Sequence, residues 1–195
     1  MVLAEKGEIP RVFAAIVRVA TVVRSLVAME QGAIGPNKDC GYEGIYLKAI
    51  TGIPIYLEGK TSACAHFSPV GNITSASADL WSNESVQNIK LLSGMAPTAY
   101  YEQLEYDVRL MNTASKQGRE NAPILRNLFV ESDIHLDPQA FVLAPENVIK
   151  ISKEILKGKN YIDATVRGCN KALELINIAK ADKKLLITDR ESVLI

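Results

Sequence analysis

The chain has 195 residues, 48% of them hydrophobic and 23% charged, enough to bury a core of ordinary domain size. Its 22 basic and 22 acidic side chains cancel to a formal net charge of zero. No whole-chain field steers it to nucleic acid or to an anionic membrane, and no basic run or interleaving of Arg with aromatics argues otherwise.

The longest apolar stretch, residues 12–23, is interrupted by Arg18 and reads as too short and too charged to span a bilayer. The first residues carry Glu5, Lys6 and Glu8 and lack the basic, apolar, small-residue order of a signal peptide. A cytoplasmic protein is expected, with neither nucleic acid nor membrane as a partner. Its three cysteines, Cys40, Cys64 and Cys169, then read as thiols and not as a disulfide framework.

In chain order, the pattern predicts a helix over 10–23 with Pro10 at a first helical position, then a strand over 25–29. A Gly-rich loop over 31–41 leads to a short helix over 43–51 that Gly52 stops. A second strand follows over 53–57, with Pro54 near its start where it is tolerated, then a polar loop over 59–71 and a helical stretch ending near Trp81. Helix, strand and loop in alternation are the grammar of a parallel α/β fold.

Composition shifts near residues 82–93, and the remainder reads as helical. Tyr100, Leu104, Val108 and Met111 share a face. Asp137 before Pro138 is an N-cap and first-turn pair. Residues 145–157 carry Val148, Ile151 and Ile155 on one side, with Lys150, Lys153 and Lys157 toward the C-terminal end, where the helix dipole favours them; Gly158 ends the run. Ile162, Val166, Cys169, Leu173 and Ile176 form a further stripe, which assigns Cys169 to the core. His135, in the polar turn 131–137, reads as a loop or capping residue.

Two strands neither close a barrel nor make a sheet covered on both faces, and a complete (β/α)8 barrel takes roughly 250 residues. The expected fold class is therefore α/β: the C-terminal portion of a (β/α)8 TIM barrel over 1–90, followed by an all-helical extension over 91–195.

Reactive side chains gather in the two loops after the predicted strands, where barrel enzymes build their sites. The Cys40 thiolate could serve as a soft zinc ligand beside Lys38 and a helix start, although on residue type alone a small buried residue there is the commoner reading. The second loop holds Glu58, Lys60, Cys64 and His66. Cys64 and His66 are two apart and point opposite ways in an extended loop, so a role in shaping the mouth of the site competes with a bent loop that brings both to one metal. The glycines of the first loop match no phosphate-binding motif of fixed spacing and suit sharp turns.

Several long strings resemble the zinc-bearing subunit of the methanol:corrinoid methyltransferases: Gly35-Pro36-Asn37-Lys38-Asp39-Cys40-Gly41-Tyr42-Glu43, Glu58-Gly59-Lys60-Thr61-Ser62-Ala63-Cys64-Ala65-His66 and Trp81-Ser82-Asn83-Glu84-Ser85. Met111-Asn112-Thr113-Ala114 and Asp137-Pro138-Gln139-Ala140 continue the match, which weakens after about Lys157. The resemblance implies a barrel with a helical C-terminal extension, and a zinc held by one glutamate and two cysteines. It places the second of those cysteines at Cys40. The glutamate and the other cysteine lie upstream in the family and have no counterpart here, so the chain alone is expected to be inactive. By the same resemblance Cys64, His66, Lys60 and Glu58 lie near the site without binding zinc. The implied reaction moves the methyl group of methanol to the cobalt(I) of a corrinoid carried by a partner protein, with a homo-oligomer expected at full length. The rival readings are a non-catalytic module that docks a corrinoid protein or pairs with an upstream half, an enzyme using Cys40, Cys64 and His66 as a rearranged metal site, and a relative acting on another methyl donor.

Overall fold

A computed structural model of the chain describes residues 4, 7–33, 43–53, 69–74, 76, 98–193 and 195. The regular structure among them is helical: α1 (Arg11–Glu30), α2 (Gly44–Thr51), α3 (Pro69–Thr74), α4 (Thr98–Gln117), α5 (Asn121–Asp133), α6 (Pro138–Leu143), α7 (Pro145–Ile155), α8 (Tyr161–Ala181) and α9 (Asp189–Ser192). No strand occurs among the described residues, which overturns the expected α/β fold class and its partial barrel. The expected division between 90 and 91 falls outside them.

The predicted strand at 25–29 is instead the last turn and a half of α1. Its apolar residues continue the helical stripe of Val12, Ala15, Val19 and Val22 through Leu26 and Met29, in steps of three and four, and both pack against the core. Neither Gly nor Pro lies between Val23 and Glu30 to break the helix. A run of five apolar residues cannot by itself separate strand from buried helix. Of the second predicted strand, Ile53 has no regular structure, and 54–57 lie outside the described residues. Pro10 stands one position earlier than expected, at the N-cap with extended backbone (φ −61°, ψ 138°).

Helix α1 is the centre of the molecule. It packs on α8, α6 and α2, while α8 also packs on α7, and α4 pairs with α5. Cys169 of α8 approaches Ile16 of α1, whereas Tyr161 and Ile162 lie beside Val23 and Val27, so the two helices run antiparallel. The core joins Val12, Val19 and Val22 to Tyr46, Leu47, Leu143, Ile151 and Ile176, each at most 2% exposed. Each such side chain contributes on the order of 1.5–3 kcal/mol by leaving water.

The α8 stripe proposed from side-chain size meets this core only in part: Ile176 is fully buried and Cys169 packs against the core, whereas the N-terminal members do not. Ile162 and Val166 are 78% and 50% exposed, and Cys169 is half-buried. The buried face of α8 is Ala164, Gly168, Ala172, Leu175, Ile176 and Ala179, which shares only Ile176 with the predicted stripe and consists mostly of small residues that let helix axes approach closely. A Cβ on Gly168 would come within 2.8 Å of Ile155 Cγ1, which shows how tightly α7 and α8 meet. Other expectations hold: Gly52 ends α2 in the left-handed region (φ +72°), and Asp137 caps α6 by accepting the Gln139 N–H at 2.7 Å.

Candidate functional site

Helices α1 and α2 end side by side. Beyond Glu30 the chain closes α1 with paired hydrogen bonds, Gly32 N–H to Met29 O and Ala33 N–H to Ala28 O, and Gly32 takes the left-handed conformation (φ +86°) that this stop requires. Helix α2 stops at Gly52, whose N–H reaches Lys48 O. Thr51 Oγ1 donates to Leu47 O and accepts the Ile53 N–H, turning the chain away. Between these two ends lies a groove of about 390 Å³, walled by Leu26, Val27 and Met29, by Ile50 and Ile53, and by Leu156 and Tyr161 from across the α7–α8 turn. Glu30 and the hydroxyls of Thr51 and Tyr161 are its polar groups.

Two contacts fix α2 beneath this groove. Tyr46, fully buried, donates its hydroxyl to Val142 O at the end of α6, and burial pushes its phenol far above the usual range. Arg24 of α1 faces Glu43 at the start of α2, 3.9 Å apart.

The residues singled out in the sequence, Cys40, Glu58, Lys60, Cys64 and His66, lie outside the described residues. Cys169 is described: its Sγ–H points to Ile16 O at 3.9 Å, and burial pushes its thiol above the usual value, which disfavours the thiolate. His135 is exposed in the turn after α5, and its carbonyl accepts the Leu186 N–H. Among the described residues no three His, Cys, Asp or Glu side chains converge as a metal site requires. The described part of the molecule therefore does not by itself provide a zinc site.

The described ionisable residues converge elsewhere, around the start of α1. Asp137, 4% exposed, lies 3.7 Å from the Arg11 guanidinium, and Arg18 Nε donates to Gln139 Oε1 at 3.0 Å. Burial pushes the Asp137 carboxyl up, against the pull of the Gln139 N–H and of Arg11 and Arg18. The Arg11 N–H donates to Glu191, whose other oxygen accepts from the Thr188 hydroxyl at 2.8 Å and the Thr188 N–H at 3.2 Å. Burial opposes ionisation of Glu191, but these donors prevail and hold it below the usual carboxylate range. The cluster locks the first turn of α1 to α6 and α9. A cavity of about 620 Å³ lies beside it, lined in part by Arg11, Thr188 and Glu191, but the Glu191 carboxylate is engaged by the Arg11 and Thr188 donors, and the cluster reads as architecture. Two signals for it were present in the sequence: a lone Arg18 inside an apolar run, which needs a partner, and the Thr-x-x-Glu box at 188–191.

The chain matches the family model for MtaB, the methanol-cobalamin methyltransferase B subunit, over residues 1–195. It is 46% identical over 165 residues to the methanol–corrinoid protein co-methyltransferase of Methanosarcina barkeri, covering 85% of this chain and 35% of that protein. Its fold superimposes on a chain of the crystal structure of the methanol:cobalamin methyltransferase complex MtaBC from Methanosarcina barkeri with a TM-score of 0.74 and 36% identity, covering 94% of this chain and 40% of that one. The chain thus spans between a third and two fifths of the length of the relatives it matches. By a family match that runs from its first residue to its last, the chain belongs to the methanol-cobalamin methyltransferase B subunits.

Proposed function

We propose that this chain takes part in transferring the methyl group of methanol to the cobalt of a corrinoid held by a partner protein. The observation that carries the reading is the family match over residues 1–195, at 46% identity to the curated relative. The sequence-level assignment of Cys40 as one ligand of a zinc ion belongs to this proposal, as does the inactivity of the chain without the ligands that the resemblance puts upstream. With zinc bound there, the site would supply a Lewis acid for an alcohol oxygen. The described residues contribute a frame: α2, pinned by Tyr46 and Arg24, joins the segment containing Cys40 to the one containing Cys64 and His66. A cytoplasmic location and a homo-oligomeric full-length protein are part of the same reading.

The test pairs zinc content with methyl transfer to a cobalt(I) corrinoid protein, in the chain alone and in a protein completed with the remaining part of the family sequence. Activity and zinc are expected only in the completed protein, with Cys40→Ala removing both and Cys64→Ala lowering the rate while zinc stays bound. Full activity in the Cys40→Ala variant would end the assignment. Stoichiometric zinc in the chain alone would favour the rearranged site of Cys40, Cys64 and His66.

A further inference from the structure

Helix α1 has no cap of its own. Pro10 at its N-cap offers no side-chain acceptor and its first turn carries no acidic residue, so its leading N–H groups need acceptors from elsewhere. Glu191 supplies them from 180 positions away: its carboxylate accepts the Arg11 N–H and is also supported by the Val12 N–H.

The segment that delivers Glu191 is joined to the fold at few points. Helix α8 is closed without it, by hydrogen bonds from Lys183 N–H to Lys180 O and from Lys184 N–H to Ala179 O. Lys183 itself sits in the left-handed region (φ 58°), where a residue other than Gly is uncommon, and marks a sharp change of direction. Beyond it only Leu185 and Glu191 are buried as far as Val193, while Ile187 and Ile195 are part-buried against the core. The other ties are polar: Leu186 N–H to His135 O at 2.9 Å, Arg190 Nη1 to Gly7 O at 2.9 Å and Lys180 Nζ to Ser192 O at 3.3 Å. Between this segment and Pro10 and Arg11 lies the cavity of about 620 Å³, so Leu186, Ile187 and Thr188 lack packing on one side. A segment with few buried apolar side chains and exposed hydrogen bonds opens far more readily than a packed pair of helices.

We propose that the segment from Lys184 onward is a latch that opens as a unit about Lys183 while the core of α1 and α8 stays closed, and that its closure forms the first turn of α1. Opening takes the Glu191 carboxylate away from Arg11 and Val12 and leaves their N–H groups to water, so the start of α1 frays with the latch. Ala15 and Val19, buried in the core, hold the helix beyond that turn.

The test is residue-resolved amide hydrogen exchange of the whole chain, in water and in low urea. The N–H groups of Leu186, Glu191, Ser192, Arg11 and Val12 should share one protection factor, at least about a hundredfold below that of Val19 and Ile176. Low urea should barely change the protection of this set and should lower that of Val19 and Ile176 steeply, because a local opening exposes little surface. Cys169→Ser, in the contact of α8 with α1, should lower protection at Val19 and Ile176 and leave the latch set as it was. Arg190→Ala, at an exposed position, removes the tie to Gly7 and should lower protection of the latch set about threefold or more. The proposal is overturned if the set shares the protection and urea dependence of Val19 and Ile176, since the latch then opens only when the whole molecule unfolds. It is equally overturned if Arg11 and Val12 stay as protected as Val19 while Leu186, Glu191 and Ser192 exchange, or if Arg190→Ala leaves the set unchanged.

Discussion

A Cβ placed on Gly158 would lie 2.5 Å from both Cα and Cβ of Ala164 and 2.6 Å from its backbone nitrogen. The turn between α7 and α8 therefore has no room for any side chain at this position, and the obstacle is backbone, which cannot rotate away. Gly158→Ala should cost about 2–3 kcal/mol, in the range of core overpacking, even though Gly158 is itself part-exposed. Urea denaturation measures it. A loss under about 0.5 kcal/mol, typical of a surface substitution, would show that the turn is looser than this packing requires.

Glu191 predicts an acid limb to stability. Its carboxyl is held below the usual range in the fold, so its contribution is complete above the unfolded-state value of about 4.3 and is lost as pH falls through the lower folded value. Asp137 acts in the opposite sense. Its raised carboxyl favours the fold below the unfolded value and withdraws that support as pH rises through the folded one. Glu191→Gln keeps the shape but turns one oxygen into a donor facing the donors of Thr188 or Arg11. It should cost about 1–3 kcal/mol at pH 7 and much less near pH 3, so that its stability profile is flatter than that of the wild type. Parallel profiles would remove Glu191 from the acid limb.

Cys169 should react slowly with thiol reagents in the folded protein. It is half-buried, its thiol is pushed up by burial, and its Sγ–H faces the Ile16 carbonyl. Labelling below about pH 8 should be many times slower than in urea, and Cys169→Ser should cost on the order of 1–3 kcal/mol for a hydroxyl at this apolar contact. Equal labelling rates in the folded and unfolded states would show that α8 separates from α1 in solution.

Helix ends were legible where local signals decide structure. Asp137 before Pro138, Pro145 at the start of α7 and Gly52 after α2 are capping residues whose geometry acts within one turn. What misled was tertiary. The α8 stripe was chosen by side-chain size, but the face of α8 that meets α1 and α7 is selected by smallness, with Ala164, Gly168 and Ala172 allowing the approach. The strand assigned to 25–29 failed because periodicity over five residues carries too little information, and the extension of α1 through Glu30 is decided by its packing on α2 and α8. The candidate site was read from strings of residues and not from geometry, and those strings fall outside the described residues. The described frame shows where they begin and end, at Ala33, Glu43, Ile53 and Pro69.

Tyr46 is where that frame can be tested. Its hydroxyl satisfies the Val142 carbonyl, one of those that the short helix α6 leaves without a partner at its C-terminal end. The ring is 0% exposed and fixes α2 between α7 and α6. Tyr46→Phe keeps the ring and removes the donor, so the Val142 carbonyl is left buried and unpaired, at a cost of about 1–3 kcal/mol. Tyr46→Ala also opens a cavity and should cost about 3–5 kcal/mol. Because α2 links the segment containing Cys40 to the one containing Cys64, its displacement should affect the proposed chemistry before it unfolds the protein. In a completed, active protein, Tyr46→Phe should therefore lower methyl transfer at temperatures well below its unfolding transition, with zinc content measured in the same samples. Wild-type activity together with the predicted loss of stability would show that α2 only supports the fold. An unchanged unfolding midpoint would show that the Tyr46–Val142 hydrogen bond does not hold α2 at all.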